Sequence, residues 1–238
     1  MIRRSPQATA FLLIFSEFVL ELKRMKKTNI IIFLIIAASF AVGVYFYPAF
    51  PDKIASHWNI NGEVDGYMSK FWGLFLMPII SLGMWLMFIL IPKIDPMKKN
   101  IEKFRKYFDT FIILIMLFLL YLHLLTIFWN TGKQFDIVRM MLPAMGVLFF
   151  YVGVLLNHAE RNWFIGIRTP WTLSSEVVWG KTHKLGAKLF KIAGIITLFG
   201  TLVPSAAFWL TLIPVLVFSI YVFVYSYFEH KKEEKNNS

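Results

Sequence analysis

Six apolar runs constrain the fold of this chain more than any other sequence feature. A helix needs about 20 mostly apolar residues to cross the hydrocarbon core of a bilayer. All but one of the runs approach that length. The exception, Ile192–Val203, is shorter and takes its first turns from a preceding polar stretch. The runs are Thr28–Tyr47, Phe71–Ile91, Thr110–Trp129, Ile137–Leu156, Ile192–Val203 and Phe208–Phe228. Hydrophobic residues make up 58% of the chain, against about 45–50% in soluble domains, which indicates a membrane protein.

The distribution of Lys and Arg predicts the orientation of these runs. Most of the 25 basic residues fall in the N-terminal segment, the second and fourth gaps between runs, and the C-terminal tail. The alternate gaps hold few, notably Lys53, Lys70 and Lys133. Basic loops face the cytoplasm. The sequence therefore predicts an all-α polytopic protein of the cell membrane, with six transmembrane helices and both termini inside. The net charge of +11 then reflects contact with anionic lipid rather than direct binding of nucleic acid.

The runs divide the chain into five regions. Residues 1–24 are too short and too charged to cross a membrane, with Glu17 and Glu21 inside their apolar stretch. They form either an interfacial helix or an extension upstream of a true start at Met25. The other regions are 25–92 with an outer cap loop at 48–70, then 93–157, then 158–230 with a second loop and the last two runs, and the charged tail 231–238.

The outer loop, residues 48–70, carries the turn signals Asn61-Gly62 and Asp65-Gly66, which predict a compact cap containing a hairpin. Asn61, Glu63 and Asp65 also match the first half of a calcium loop, but the final ligand position holds Trp72 instead of Glu. No second His lies near His57 to complete a zinc site, and the chain has no Cys. We therefore predict no metal and no cofactor, and expect these polar groups to bond to one another.

The second loop runs into a basic helix. Thr169-Pro170 predicts a helix cap followed by proline at the first helical position, and a helix is expected from about Thr172. Val178, Leu185 and Leu189 share one face. A second face carries Lys181, Lys184, Lys188 and Lys191. The pattern predicts an amphipathic helix at the cytoplasmic interface that continues into the fifth run.

Several functions fit the polar residues between Arg161 and His183. The two arginines, Arg161 and Arg168, with nearby amide and hydroxyl groups could form an anion pocket or a docking face for an acidic partner. Alternatively, the lysines rest on lipid phosphates and the tryptophans lie in the headgroup belt. Ser175 and His183 lie about 80° apart around a helix on different turns, which disfavours a hydrolase pair.

Ionisable groups are scarce within the apolar runs. His123 lies in the third run, and Arg139 lies near the edge of the fourth. Ion-coupled transporters place charges near the membrane midplane, so this scarcity argues against transport. His123 could be a proton site, but a lone His in such a run is more often hydrogen-bonded to a neighbouring helix, which is what we expect of it.

Two segments resemble a known family. "FPDKIASHWNINGEVDGYMSK" resembles the domain of unknown function found towards the N-terminus of SdpI-family membrane proteins, and "RNWFIGIRTPWTLSSEVVWGKTHKLGAKLF" is similar to the SdpI signature. The resemblance spans about Thr28–Phe228. In the outer motif it singles out Pro51, His57, Asn59, Gly62, Asp65, Gly66 and Lys70 as binding residues. In the cytoplasmic motif it singles out Asn162, Gly166, Arg168, Thr169, Pro170, Trp171, Ser175, Trp179, His183 and Gly186. Arg161 joins these candidates from the residue pattern described above.

The resemblance implies toxin immunity. The family's namesake protects a bacterium from its own secreted peptide toxin and holds a cytoplasmic repressor at the membrane, so a toxin outside, a repressor inside and the lipid bilayer are the implied partners. The alternatives are a membrane-embedded enzyme, a small-molecule or lipid binder using the inner Arg, Asn, Thr and His residues, or a transporter. Of these readings, a non-enzymatic role is favoured.

Overall fold

The computed structural model describes residues 27–237, so the expectations for residues 1–24 lie outside the described part. Five long helices in it are apolar enough to cross a membrane, judged by length and composition. They are α1 (Lys27–Phe46), α2 (Lys70–Ile94), α4 (Arg105–Asn130), α5 (Ile137–His158) and α8 (Ala207–Asn237). These helices confirm five of the predicted runs, with bounds shifted by a few residues.

The remaining helices differ more from the sequence prediction. Two short helices, α3 (Lys98–Lys103) and α6 (Pro170–Ser174), precede α4 and α7 (Glu176–Gly200). The predicted fifth run is the second half of α7, and the first half holds most of that helix's charges. For this reason α7 is not among the helices that meet the length and hydropathy requirements for crossing. The sixth crossing and the orientation stay predictions.

The outer loop forms an antiparallel β-hairpin, which confirms the turn prediction and makes the chain mostly helical rather than all-α. Strand β1 (Lys53–Trp58) pairs with β2 (Val64–Ser69). Gly62 has a φ of +79° at the turn, a conformation that glycine adopts at low cost. Its N–H donates to Asn59 O at 2.9 Å. The Asn61-Gly62 signal therefore reports real local geometry.

Helices α5 and α7 pack with their backbones in contact. A Cβ on Gly194 would lie 2.6 Å from Gly146 O, and one on Gly153 would lie 2.6 Å from Ala187 O. Small residues allow such close approach when lipid removes the hydrophobic drive between helices. The buried face of α7 is therefore its small-residue side. Of the predicted apolar face only Val178 is fully buried, while Leu185 and Leu189 are partly exposed.

The hairpin and the second loop lie at opposite ends of this helix bundle. At the hairpin end, Asn130 closes α4 and holds both the N–H and the C=O of Ala55 on β1, at 2.8 and 2.9 Å. At the other end, which we call the loop end, Asp95 after α2 and Asn100 on α3 bond to the 159–169 loop. The bundle therefore fixes the relative positions of the two motif segments.

A buried polar contact links two of the long helices. His123 on α4 is 1% exposed, and its Nδ1 lies 3.4 Å from Ser39 Oγ on α1. The expectation that His123 bonds to a neighbouring helix is confirmed.

Candidate functional site

Asn162 organises the 159–169 loop from within. Its side chain is fully buried, and its Oδ1 accepts the N–H groups of Phe164 and Ile165 at 2.9 and 2.6 Å. Its Nδ2 donates to Glu160 O and Ile165 O. One amide thus satisfies four backbone groups that would otherwise be costly to bury. Asn162 is committed to loop structure and has no donor left for a ligand.

Two residues outside the predicted motif anchor this loop to the bundle. Asp95 is 2% exposed. Its Oδ1 accepts the N–H of Met97, and its Oδ2 accepts the N–H of Trp163, at 2.6 and 2.9 Å. Asn100 donates to Arg161 O at 2.8 Å. Sequence reasoning missed both residues because they precede the loop by about 60 positions. The turn sequence Asp95-Pro96 was the one local signal.

His183 closes the loop onto α7. Its Nε2 accepts the N–H of Ile167 at 3.0 Å, and its Nδ1 bonds to Trp179 O at 2.9 Å. This pattern requires a proton on Nδ1 and a lone pair on Nε2, and so a neutral ring. Burial lowers the pKa of His183 to about 4. The residue lies in the first half of α7, before the predicted fifth run.

Gly166 and Trp179 shape the space around His183. Gly166 has a φ of +115°, and a Cβ there would collide with His183 Nε2. The Trp179 indole stacks on the imidazole with ring centroids 3.9 Å apart. Its Nε1 donates to Ala159 O at 2.7 Å. These residues form one packed unit in which every polar atom of the histidine is used.

Thr169 and Pro170 begin helix α6 as predicted. The Thr169 side chain accepts from Thr172 N, and the Thr172 side chain accepts from Thr169 N, which is a reciprocal capping box. Pro170 occupies the first turn. Thr169 Oγ1 also lies 3.1 Å from Ser226 Oγ on α8, so this cap joins the loop to the last helix.

The break between α6 and α7 falls at Ser175, where the sequence predicted one continuous helix. Ser175 Oγ accepts from Val178 N, capping α7, and donates to Glu233 on α8 at 2.9 Å. Trp171 packs edge-on against Phe223 and Tyr227 of the same helix. Ser175 and His183 therefore serve separate contacts, and the geometry provides no nucleophile and base pair from them.

The two arginines line different cavities. Arg161 donates to Leu173 O at 3.1 Å and to the Glu176 carboxylate at 3.3 Å. It lines a cavity of about 260 Å³ with His183, whose wall also carries Glu160 and Glu176. Arg168 is exposed and lines a different cavity. Because Glu160 and Glu176 offset the charges of Arg161 and Lys184 in its lining, the first cavity has no excess positive charge and is a poor fit for the predicted anion pocket.

The basic residues of α7 split into paired and exposed groups. Lys181 reaches Glu229 on α8 at 2.8 Å, and Lys232 reaches the same carboxylate. Lys184 and Lys188 are exposed at the surface of α7, while Lys191 is partly buried. The predicted basic face is therefore present on the exposed side of the first half of α7.

The outer motif holds the hairpin together. Asn59 Oδ1 accepts the N–H groups of Asn61 and Glu63 at 2.9 and 3.1 Å. His57 Nδ1 contacts Asp65 Oδ1 across the strands, and a Cβ on Gly66 would lie 2.9 Å from His57 Cβ. The expected bonding of these polar groups to one another is confirmed.

The base of the hairpin is fixed by the last residues of this motif. Lys70 lies 3.9 Å from Asp52 and 4.8 Å from the centre of the Tyr47 ring. Pro51 is exposed beside Asp52.

Within residues 27–237, no three His, Asp or Glu side chains lie close enough together to hold a metal ion.

Comparison with known proteins finds relatives for both ends of the bundle. A domain of unknown function, DUF1648, matches residues 34–82, and the SdpI/YfhL protein family matches residues 158–226. The Immunity protein SdpI of Bacillus subtilis (strain 168) is 30% identical over 170 residues, which is 71% of this chain and 79% of the relative. The chain belongs to the SdpI family. No solved structure matches it.

The matched segments of this SdpI-family chain correspond to the two structural units described above. The first contains the β-hairpin with the adjoining parts of α1 and α2. The second contains the loop, α6, α7 and most of α8. Family membership and the long apolar helices together identify a multi-pass membrane protein.

Proposed function

We propose that this chain is a cell-membrane immunity protein that protects its host from a secreted peptide toxin. The observation that carries the proposal is its similarity to the Immunity protein SdpI across most of both chains. The hairpin end would face outward, as the distribution of basic residues predicts, and would meet the toxin. The loop end would face the cytoplasm.

Exposed apolar residues on the hairpin support its role in toxin recognition. Ile60 at the turn is 55% exposed, and Tyr67 on β2 is 66% exposed. Aromatic side chains are favoured at protein interfaces because they bury much area with little loss of entropy. The polar residues of the hairpin bond to one another and hold these side chains in fixed positions.

Exposed lysines at the loop end support docking of a cytoplasmic repressor. Lys184 and Lys188 lie one turn apart on the exposed side of α7. The neighbouring Lys181 is already paired with Glu229. A basic surface of this kind would recognise an acidic face of a protein partner.

The immunity half is tested by expressing the chain in a toxin-sensitive bacterium and challenging the cells with the cognate peptide toxin. We expect survival with wild type and reduced survival with Tyr67→Ala. The matched control is Tyr45→Ala on α1, an exposed tyrosine outside the hairpin, which should protect like wild type. Unchanged killing, with the protein shown to be in the membrane fraction, would refute the proposal.

The signalling half is tested separately by fractionation. In toxin-treated cells the repressor should sediment with membranes containing the wild-type chain. Lys184→Glu combined with Lys188→Glu should return it to the soluble fraction, whereas Lys133→Glu at the hairpin end should not. A repressor that stays soluble with wild type would remove this half and leave the immunity half standing.

A further inference from the structure

An apolar cavity at the loop end has one charged residue, Arg168, among the described residues that line it. It has a volume of about 470 Å³ and lies among α2, α4, α5, α7 and the 159–169 loop. Met87, Phe88, Phe111, Val152 and Phe190 are among its lining residues. Every lining residue except Arg168 is apolar, and the volume is within the range of small-molecule sites, roughly 300–1,000 Å³.

Arg168 has unused hydrogen-bonding capacity at this cavity. One of its terminal nitrogens, Nη1, donates to Trp163 O at 2.8 Å, which fixes the side chain against the loop. Within residues 27–237, its Nε and Nη2 have no hydrogen-bond partner. A guanidinium of this kind is suited to bidentate recognition of a phosphate.

The surroundings of Arg168 match the headgroup layer of a membrane. Trp163 is 51% exposed and Phe164 is 36% exposed on the same loop, and exposed aromatic side chains of this type are enriched at that depth. The cavity extends from Arg168 to Phe190. His183 contacts Ile167, the residue before Arg168, and Phe190 lies about 10 Å further along α7 than His183, given the rise of an α-helix. The charged Arg168 and the apolar lining beyond it therefore follow one another in the same order as the phosphate and the acyl chain of a phospholipid.

We propose that this cavity binds one anionic phospholipid, with its phosphate on Arg168 and the first part of one acyl chain among Phe88, Val152 and Phe190. Basic pockets between membrane helices are recognised sites for such headgroups. This lipid site is separate from the toxin recognition proposed above for the hairpin end of the bundle. It also differs from the pocket predicted from sequence, which placed Arg161, Arg168 and His183 together.

The proposal is tested by native mass spectrometry of delipidated protein in detergent. The protein is titrated with dioleoylphosphatidylglycerol, with dioleoylglycerol, which has the same chains and no phosphate, and with glycerol 1-phosphate, which has no chains. We expect one tight site for the first compound alone. Arg168→Gln should weaken it about tenfold or more, because it removes a charged donor pair. Val152→Phe, which fills the cavity, should weaken it similarly.

Two control variants distinguish binding in the cavity from the loss of any cation or the enlargement of any residue at this end of the bundle. Lys99→Gln removes an exposed cation at the same end, and Val177→Phe enlarges an exposed residue of α7; both should bind like wild type. Equal affinity in wild type, Arg168→Gln and Val152→Phe would overturn the proposal, as would equal binding of dioleoylglycerol or displacement by equimolar glycerol 1-phosphate. If a variant fails to fold, a phosphatidylglycerol with a photoreactive acyl chain locates the site on wild type. Crosslinks should fall on the peptides of Phe88, Val152 and Phe190, and their absence there would be equally decisive.

Discussion

His183 Nε2 accepts a hydrogen bond of 3.0 Å from the backbone N–H of Ile167, and this bond joins the second loop to helix α7. The same ring donates through Nδ1 to Trp179 O. Both ring nitrogens of His183 are therefore hydrogen-bonded to backbone groups of the fold. Asn162 is used in the same way. The family motif at the loop end builds a fixed shape, and the side chains that remain free for partners are exposed ones such as Arg168 and Lys184.

Replacing Gly166 should test how tightly this shape is built. In Gly166→Ala the new methyl group collides with His183, and the backbone keeps a φ of +115° that alanine adopts only under strain. We expect a loss of about 1–3 kcal/mol in the free energy of unfolding from strain alone, measured by denaturant titration in detergent. Gly180→Ala is the control, since a Cβ there meets nothing within 4 Å and lies in a helix. Equal effects would contradict the account.

The neutral histidine should also make stability depend on pH. The pKa of His183 is about 4 in the folded chain because burial disfavours the charged ring, against about 6.5 when unfolded. The unfolded state therefore binds the extra proton first, and stability should fall as pH drops from about 6.5 towards 4, by up to about 3 kcal/mol. His183→Gln should be less stable at neutral pH and show a smaller decrease across this interval. An unchanged pH profile would show that His183 does not titrate as described.

Close packing of α5 and α7 should be sensitive to a single methyl group. A Cβ on Gly194 would lie 2.6 Å from Gly146 O and from Phe150 N, both backbone atoms that cannot rotate away. Gly194→Ala should cost about 1–3 kcal/mol, as overpacking does. Thermal unfolding in detergent measures this. Gly83→Ala on α2, where a Cβ meets nothing within 4 Å, should leave the melting temperature unchanged or raise it.

The attachment of the hairpin depends on Asn130. Its side chain makes hydrogen bonds to both backbone groups of Ala55. Asn130→Ala should leave the helices intact and increase hydrogen exchange across Lys53–Ser69, because two buried backbone groups lose their partners. Asn130→Asp keeps the acceptor and should give an intermediate result. Protection equal to wild type in both variants would show that the strands are held by other contacts.

Local signals in the sequence predicted the parts of the fold that local physics decides. The apolar runs marked five helices because their length must match the bilayer, and Asn61-Gly62 marked the hairpin because its turn needs a positive φ. Thr169-Pro170 marked the start of α6 because a capping threonine followed by proline favours the first turn of a helix. The position of each element along the chain is set by local residues, although contacts such as Asn130 with Ala55 and Thr169 with Ser226 then attach the elements to distant parts of the fold.

Tertiary contacts decided the parts that sequence reasoning missed. The buried face of α7 was predicted from Leu185 and Leu189, but close approach of the backbones selects Gly194 and Ala187 instead. Asp95 became part of the site through a contact with Trp163, 68 positions later in the chain. Arg161 and Arg168 were grouped because they are close in sequence, but the loop directs their side chains to two different cavities.

We predict that the second half of α7 completes a sixth crossing, with the hairpin outside and the second loop inside. Because the chain has no Cys, single-cysteine variants report position without background. Asn61→Cys in the hairpin turn, Leu202→Cys after α7 and Ser174→Cys before it are exposed probes. With a membrane-impermeant maleimide on intact cells, the account predicts labelling of the first two variants, and labelling of Ser174→Cys only after the membrane is opened. Labelling of Ser174→Cys in intact cells, or of Leu202→Cys only after opening, would contradict it.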